Sequence, residues 1–270
     1  MKKLGTMTIS ILSGLTLSLL SACGTQDLAS YDILERSQET ASLTWGVKAD
    51  TPLFGSMNIE TRQIEGFEID LAAAITREIL GDDAKVEFIE VSSKTRIPLL
   101  KNGNIDAIIA TMTITEARRE VVDFSEVYFE AGQSLLVHKD SGIASIEDLD
   151  KSSVVIGAKG SNSVANIREL IPGITVLELE NFSEAFVALR ARQGVAVTTD
   201  NSVLYGLSAQ DPDYIVTDET FTVEPYGIAV NKNQERFLNE VNKALQTIKE
   251  NGTYDSLHEK WLGSVINRND

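Results

Sequence analysis

The stretch IIATMTITEARREVVDFS, residues 108–125, is built to present polar groups. An apolar run, Ile108-Ile109-Ala110, gives way to threonines at 111, 113 and 115, and Arg118 and Arg119 follow. A threonine hydroxyl both donates and accepts. An arginine offers a planar fork that matches a carboxylate with two parallel hydrogen bonds. Thr115 suits a helix N-cap with Glu116 in the first turn, so Arg118 falls early in a helix, near free N–H groups that favour an anion. Such a set can hold an α-carboxylate and part of an α-ammonium. A surface ion pair is an equally good reading of Arg118 on these residues alone. Arg119, one position round the helix, faces elsewhere and reads as surface.

Other chemistries lack their residues. There is no P-loop, no GxGxxG and no GxSxG nucleophile elbow. The two histidines, His138 and His258, show no metal-ligand spacing, and His258 reads as solvated beside Glu259 and Lys260. No metal and no cofactor is expected, and no catalytic residue is assigned. A net charge of −16 without a basic patch argues against nucleic acid.

The elements that must position the threonines and Arg118 alternate strand and helix from residue 41. SLTWGVKAD reads as a strand, IEGFEIDLAAAITREILG as a turn and an amphipathic helix stopped by Gly81, KVEFIEV as a strand, TRIPLLKNG as a helix, and NIDAIIATM as a buried strand. Asp70 reads as a helix cap. The order repeats later: SNSVANIRELIPG, ITVLELE, SEAFVALRARQG and VAVTTD read as helix, strand, helix, strand. TRIPLLKNGNIDAIIATMT and SEAFVALRARQGVAVTTDN share a plan of helix, glycine turn, apolar strand and threonines. The reading is an α/β protein of two related lobes. Ligands of open α/β sheets sit beyond the carboxyl ends of the strands, which sets Thr111 to Thr113 across a cleft from Thr199 and Asp200. In the tail, Phe237, Val241, Ala244, Leu245 and Ile248 mark one helix face, and Trp261 reads as a core anchor.

The N-terminus is a targeting segment. Lys2 and Lys3 precede an apolar run, and LSAC ends at Cys23, the sole cysteine. LSAC resembles the bacterial lipoprotein box. Residues 1–22 are therefore expected to be a signal peptide, Cys23 the lipid attachment point, and residues 23–40 a polar tether. Two acyl chains suffice for stable anchoring. The expected location is the extracellular face of the bacterial cytoplasmic membrane.

EGFEIDLAAAI, the run from TRIPLL to VVDFS, TVEPYGIAVNK and NGTYDSLHEKW, in that order, resemble the bacterial extracellular solute-binding proteins of family 3, the amino-acid receptors of ABC importers. The resemblance covers residues 41 to 263 and points most to glutamine, glutamate and aspartate binders, through KADTPLFG and SKTRIPLL. It implies a two-lobe periplasmic-binding-protein fold of type II. Each lobe would be a mixed, mostly parallel sheet flanked by helices: lobe 1 at 41–130 and 228–270, lobe 2 at 131–227, joined by two hinge strands with Gly132 and Gly227. It implies Arg118 and Thr113, with Thr111, for the carboxylate, and Asp200 for the ammonium. Lys159, Gly160, Ser161 and Ser163 would form the second-lobe loop, Lys48 and Arg96 would be first-lobe cations, and Phe54 and Phe67 apolar walls. The implied partners are a free amino acid and a membrane permease, the protein acting as a monomer. Lys48, Arg96 and Lys159 add three positive charges beyond the Arg118–Asp200 pair. That excess favours glutamate or aspartate over glutamine, unless one cation pairs internally, for example with Asp50. A dehydratase-type enzyme on the same fold and a surface sensor or adhesin are the rival readings.

Overall fold

Residues 32–266 are described by a computed structural model. They build two five-stranded sheets of matching plan. In lobe 1, β1 (Ser42–Val47) runs parallel to β5 (Lys85–Glu90) and to β6 (Ala107–Ile109). Two long strands, β13 (Glu224–Asn231) and β7 (Val122–Ala131), complete that sheet antiparallel. In lobe 2, β9 (Val154–Ala158) runs parallel to β10 (Thr175–Leu179) and β11 (Ala196–Asp200). There β8 (Gln133–His138) and β12 (Tyr214–Val216) complete the sheet antiparallel. The central strand of each order, β6 or β11, follows a short helix, α3 (Arg96–Lys101) or α6 (Phe182–Arg190). These are the two segments that share a plan in the sequence.

Helices cover the sheets because their apolar residues recur on one side. Helix α2 (Phe67–Leu80) buries Phe67, Ile69, Leu71, Ala72 and Ile75 and stops at Gly81, whose φ is 93°. Helix α8 (Glu235–Glu250) buries Phe237, Val241, Ala244, Leu245 and Ile248, the face its spacing predicts. Both pack in one lobe 1 core around Trp45, whose Nε1–H donates to Thr76 at 2.9 Å.

Three local readings are corrected. The expected tether ends early, because Ile33–Thr40 forms helix α1, capped by the Asp32 carboxylate. Leu34 is buried in the lobe 1 core, Ile33 N–H donates to Gln234, and Arg36 pairs with buried Asp106. The apolar pair Ile33-Leu34 gives this otherwise polar run something to dock. Asp70 does not cap α2; Gly66 holds that position. Its carboxylate instead accepts from Lys260 and from Trp261 Nε1–H, each at 2.7 Å, pinning α9 (Thr253–Ile266) to α2. His258 is half-buried and stacks on Phe129 and Tyr254, so it is not solvated. The expected signal peptide, Cys23 and the start of the tether lie outside the described residues.

Candidate functional site

The chain leaves β6 at Ile109 and bends at Thr111, then returns to pair with β13 through a bridge from Thr113 to Tyr226. The Tyr226 hydroxyl donates to Asp200 Oδ2 at 2.6 Å. Tyr226 thus ties the threonine turn of lobe 1 to the end of β11 in lobe 2. Thr115 caps α4 (Glu116–Arg119) by accepting from Arg118 N–H at 3.3 Å. Arg118 folds back so that Nη1 donates to Thr113 O at 2.6 Å, and Nη2 lies 3.5 Å from Asn162 Oδ1 of lobe 2. Arg119 points out, near Glu116 and over the Phe124 ring.

The lobes touch along this line. Gly160 has a φ of +77°, and a Cβ there would come within 2.8 Å of the Lys94 backbone in lobe 1, so only glycine allows the approach. Asp50 accepts from Phe182 N–H, the first of α6, at 2.7 Å from the opposite lobe, while Asn181 caps that helix. Asn162 donates to Glu224, which also accepts from Asn166 at 3.0 Å and Thr222 at 2.7 Å.

Burial decides the charges. Asp200 is 4% exposed, and loss of water raises its carboxyl to about 7, helped by nearby Glu224 and opposed by the Tyr226 hydrogen bond and Arg118. Its Oδ1 is buried without a hydrogen-bond partner, as are Glu68 Oε2 and Arg96 Nε among the described residues. Glu68 is also raised to about 7, mainly by burial. Burial lowers the Arg118 and Arg96 guanidinium groups and the Lys48 ammonium, Lys48 against the pull of Asp50.

Other sequence candidates land differently. Lys48 is 1% exposed, lies 2.9 Å from Asp50 Oδ1 and sits over the Phe182 ring. Arg96 is fully internal and donates to Ala110 O at 2.7 Å. Lys159 pairs with Glu180 in a half-exposed position. Ser161 turns its hydroxyl to Ala158 O, and buried Ser163 gives its carbonyl to Gln133. Phe54 meets Tyr226 edge-on, whereas Phe67 sits one ring further back, against Phe54 and Tyr254. Gly132 lies in the break between β7 and β8, and Gly227 lies on β13; a Cβ would reach 2.6 Å from Thr220 at the first and 2.8 Å from Ile114 at the second. Neither has a positive φ.

Glu68, Tyr128, Asn162, Glu224 and Tyr226 belong to this network and were not among the sequence candidates. Glu68 had one legible signal, a carboxylate flanked by Phe67 and Ile69 in GFEIDL. Among the described residues, no group of three or more His, Cys, Asp or Glu side chains is placed to hold a metal.

Residues 43–264 match the model of the bacterial extracellular solute-binding proteins, family 3. The chain belongs to this family. The ABC transporter glutamine-binding protein GlnH of Bacillus subtilis is 49% identical over 97% of this chain and 98% of its own length. The glutamate-binding protein GluB of Corynebacterium glutamicum is 32% identical over 93% and 87%. Among solved structures, an ancestral arginine-binding protein bound to glutamine has a TM-score of 0.77 and 42% identity over 83% of this chain and 98% of that one. An ancestral amino acid-binding protein, AncCDT-1, described as a precursor of cyclohexadienyl dehydratase, has a TM-score of 0.77 and 34% identity over 86% and 99%. Membership of family 3 accords with the two-lobe architecture.

Proposed function

We propose that this protein is the extracellular receptor of an ABC importer, capturing glutamine between its lobes and closing on it. The observation that carries the choice of glutamine is the charge balance of the site. Lys48 is paired with Asp50, and Lys159 is spent on Glu180 outside the cleft. Arg96 lies close enough to Glu68 for their charges to support each other. That leaves Arg118 and Asp200 as complementary ends for a zwitterion, with no surplus cation for an acidic side chain. The sequence-based preference for glutamate or aspartate rested on that surplus. Transferring an extra unpaired negative charge into such a site is unfavourable by several kcal/mol.

In this reading the ligand α-carboxylate takes the Arg118 fork and the hydroxyl of Thr113, with N–H groups near Gly160 and Ser161. The α-ammonium takes the free Oδ1 of Asp200. The Lys48–Asp50 pair sets a donor beside an acceptor, which suits the carbonyl and NH₂ of a primary carboxamide. Phe54 would form the apolar wall. Contact with both lobes biases the hinge toward closure, with the change taken up near Gly132 and Gly227. The lipid anchor on Cys23, the monomeric state and the permease as partner complete the proposal.

Titration calorimetry of the purified protein against the common amino acids tests it. Glutamine should bind with a dissociation constant near micromolar or tighter, about −8 kcal/mol. Glutamate should be weaker by about tenfold or more, ~1.4 kcal/mol. Equal or tighter glutamate binding overturns the ligand choice, and binding of no amino acid overturns the receptor reading.

A further inference from the structure

Thr111 has a φ of +43°, the left-handed region that a β-branched residue adopts only under constraint. It stands where the strand from lobe 1 turns into the ligand site, two residues before Thr113. The constraint is visible. Arg96 Nη1 donates to Ala110 O at 2.7 Å, and the Thr111 N–H donates to Glu68 Oε1 at 2.6 Å. That carbonyl and that N–H belong to one peptide unit and point to opposite sides of it, because the bond is trans. The unit is gripped from both sides, by a guanidinium at the carbonyl and a carboxyl group at the N–H. The couple is itself held: Tyr128 donates its hydroxyl to the same Glu68 oxygen, and Glu68 is 0% and Arg96 2% exposed.

We propose that Glu68 and Arg96 are positioning residues that clamp the Ala110–Thr111 peptide in its left-handed turn, thereby aiming Thr113 and Arg118 at the ligand carboxylate. This rests on the ligand site proposed above. It assigns Arg96 to the backbone of the turn instead of the ligand side chain. Arg118 depends on the turn directly, since its own Nη1 is bonded to Thr113 O. If the clamp is removed, Thr111 relaxes to an ordinary conformation and the carboxylate groups lose their alignment. Glycine populates the left-handed region without a steric penalty, so a glycine at 111 lets the turn form without the clamp having to oppose strain.

That difference gives the test. Glu68→Ala removes the acceptor at the amide and Arg96→Met the donor at the carbonyl. Thr111→Gly is made alone and in each background, and glutamine affinity is measured by calorimetry. Thr111→Gly alone is the reference against which each double variant is read. Each clamp variant should weaken binding by about tenfold or more, and adding Thr111→Gly should recover most of that loss. Where a clamp variant does not fold, recovery of folded, glutamine-binding protein on adding Thr111→Gly supports the clamp, and continued failure opposes it. Unchanged affinity in both clamp variants overturns it. So does a loss that Thr111→Gly leaves in place, the pattern expected if Arg96 touches the ligand itself. Arg118→Ala is the control for the site: if it binds normally, the ligand placement fails and not merely the clamp.

Discussion

The free protein should release a proton when it binds glutamine, and Asp200 should be the source. Burial raises its carboxyl to about 7, and Oδ1 has no partner. An arriving ammonium favours the carboxylate and lowers that value. Below about pH 7 the free protein must first lose the proton, so apparent affinity should fall about tenfold, ~1.4 kcal/mol, per pH unit. The loss should reach about a hundredfold near pH 5 and vanish near pH 8. Glu68 also titrates near 7, but its bonds go to Thr111 N–H and Tyr128. Calorimetry in buffers of different ionisation enthalpy measures the protons released. The expected result is nearly one proton at about pH 6, and none in Asp200→Asn. Affinity that is flat from about pH 5 to 7 would refute the reasoning, and a slope that survives Asp200→Asn would move the titration elsewhere. Stability should follow the opposite sense. An unfolded aspartate loses its proton near pH 3.9, whereas the folded one keeps it to about 7, so this group weakens the free fold as pH rises through that window. Glutamine should therefore raise the melting temperature more at pH 7 than at pH 5.

Further expectations concern single side chains. Arg118→Ala should weaken glutamine binding by about a hundredfold or more, while loss of its bond to Thr113 O costs the free protein only about 1 kcal/mol, read by thermal melting. Asp50→Asn leaves Lys48 without its counter-charge, so competition titration should show the glutamine-to-glutamate preference falling by about tenfold or reversing. Arg36→Ala removes the ion pair to buried Asp106, whose remaining bond is to Thr44 N–H. Because the Arg36 side chain is 39% exposed, the loss should be about 1–2 kcal/mol in chemical denaturation, with glutamine affinity unchanged.

What was legible in the chain depended on how local its cause was. The buried face of α8 follows from spacing alone, and the cap at Thr115 from residue type and the helix that follows. The shared plan of the two lobes was visible because helix, glycine turn and strand recur within short segments. The site's electrostatics were not local. Lys159 reads as a cleft cation in the sequence, and its partner Glu180, just past the carboxyl end of the neighbouring strand β10, lies 21 residues on. Glu68 stands in the first turn of α2, and its partners Thr111 and Tyr128 lie far along the chain. Lys48 and Asp50 are the instructive middle case. Only one residue separates them, and the pairing is a condition the sequence already suggests. Helix α1 escaped notice because two apolar residues in a polar run carry too little periodicity to signal docking.

The central claim is that Arg118 and Asp200, from opposite lobes, hold the two charged ends of one amino acid. A crystal structure of the protein with glutamine tests it most directly. The account predicts the α-carboxylate within hydrogen-bond distance of the Arg118 guanidinium and the ammonium on Asp200 Oδ1. Glutamine bound elsewhere, or bound in the cleft with either side chain turned to solvent, would contradict it.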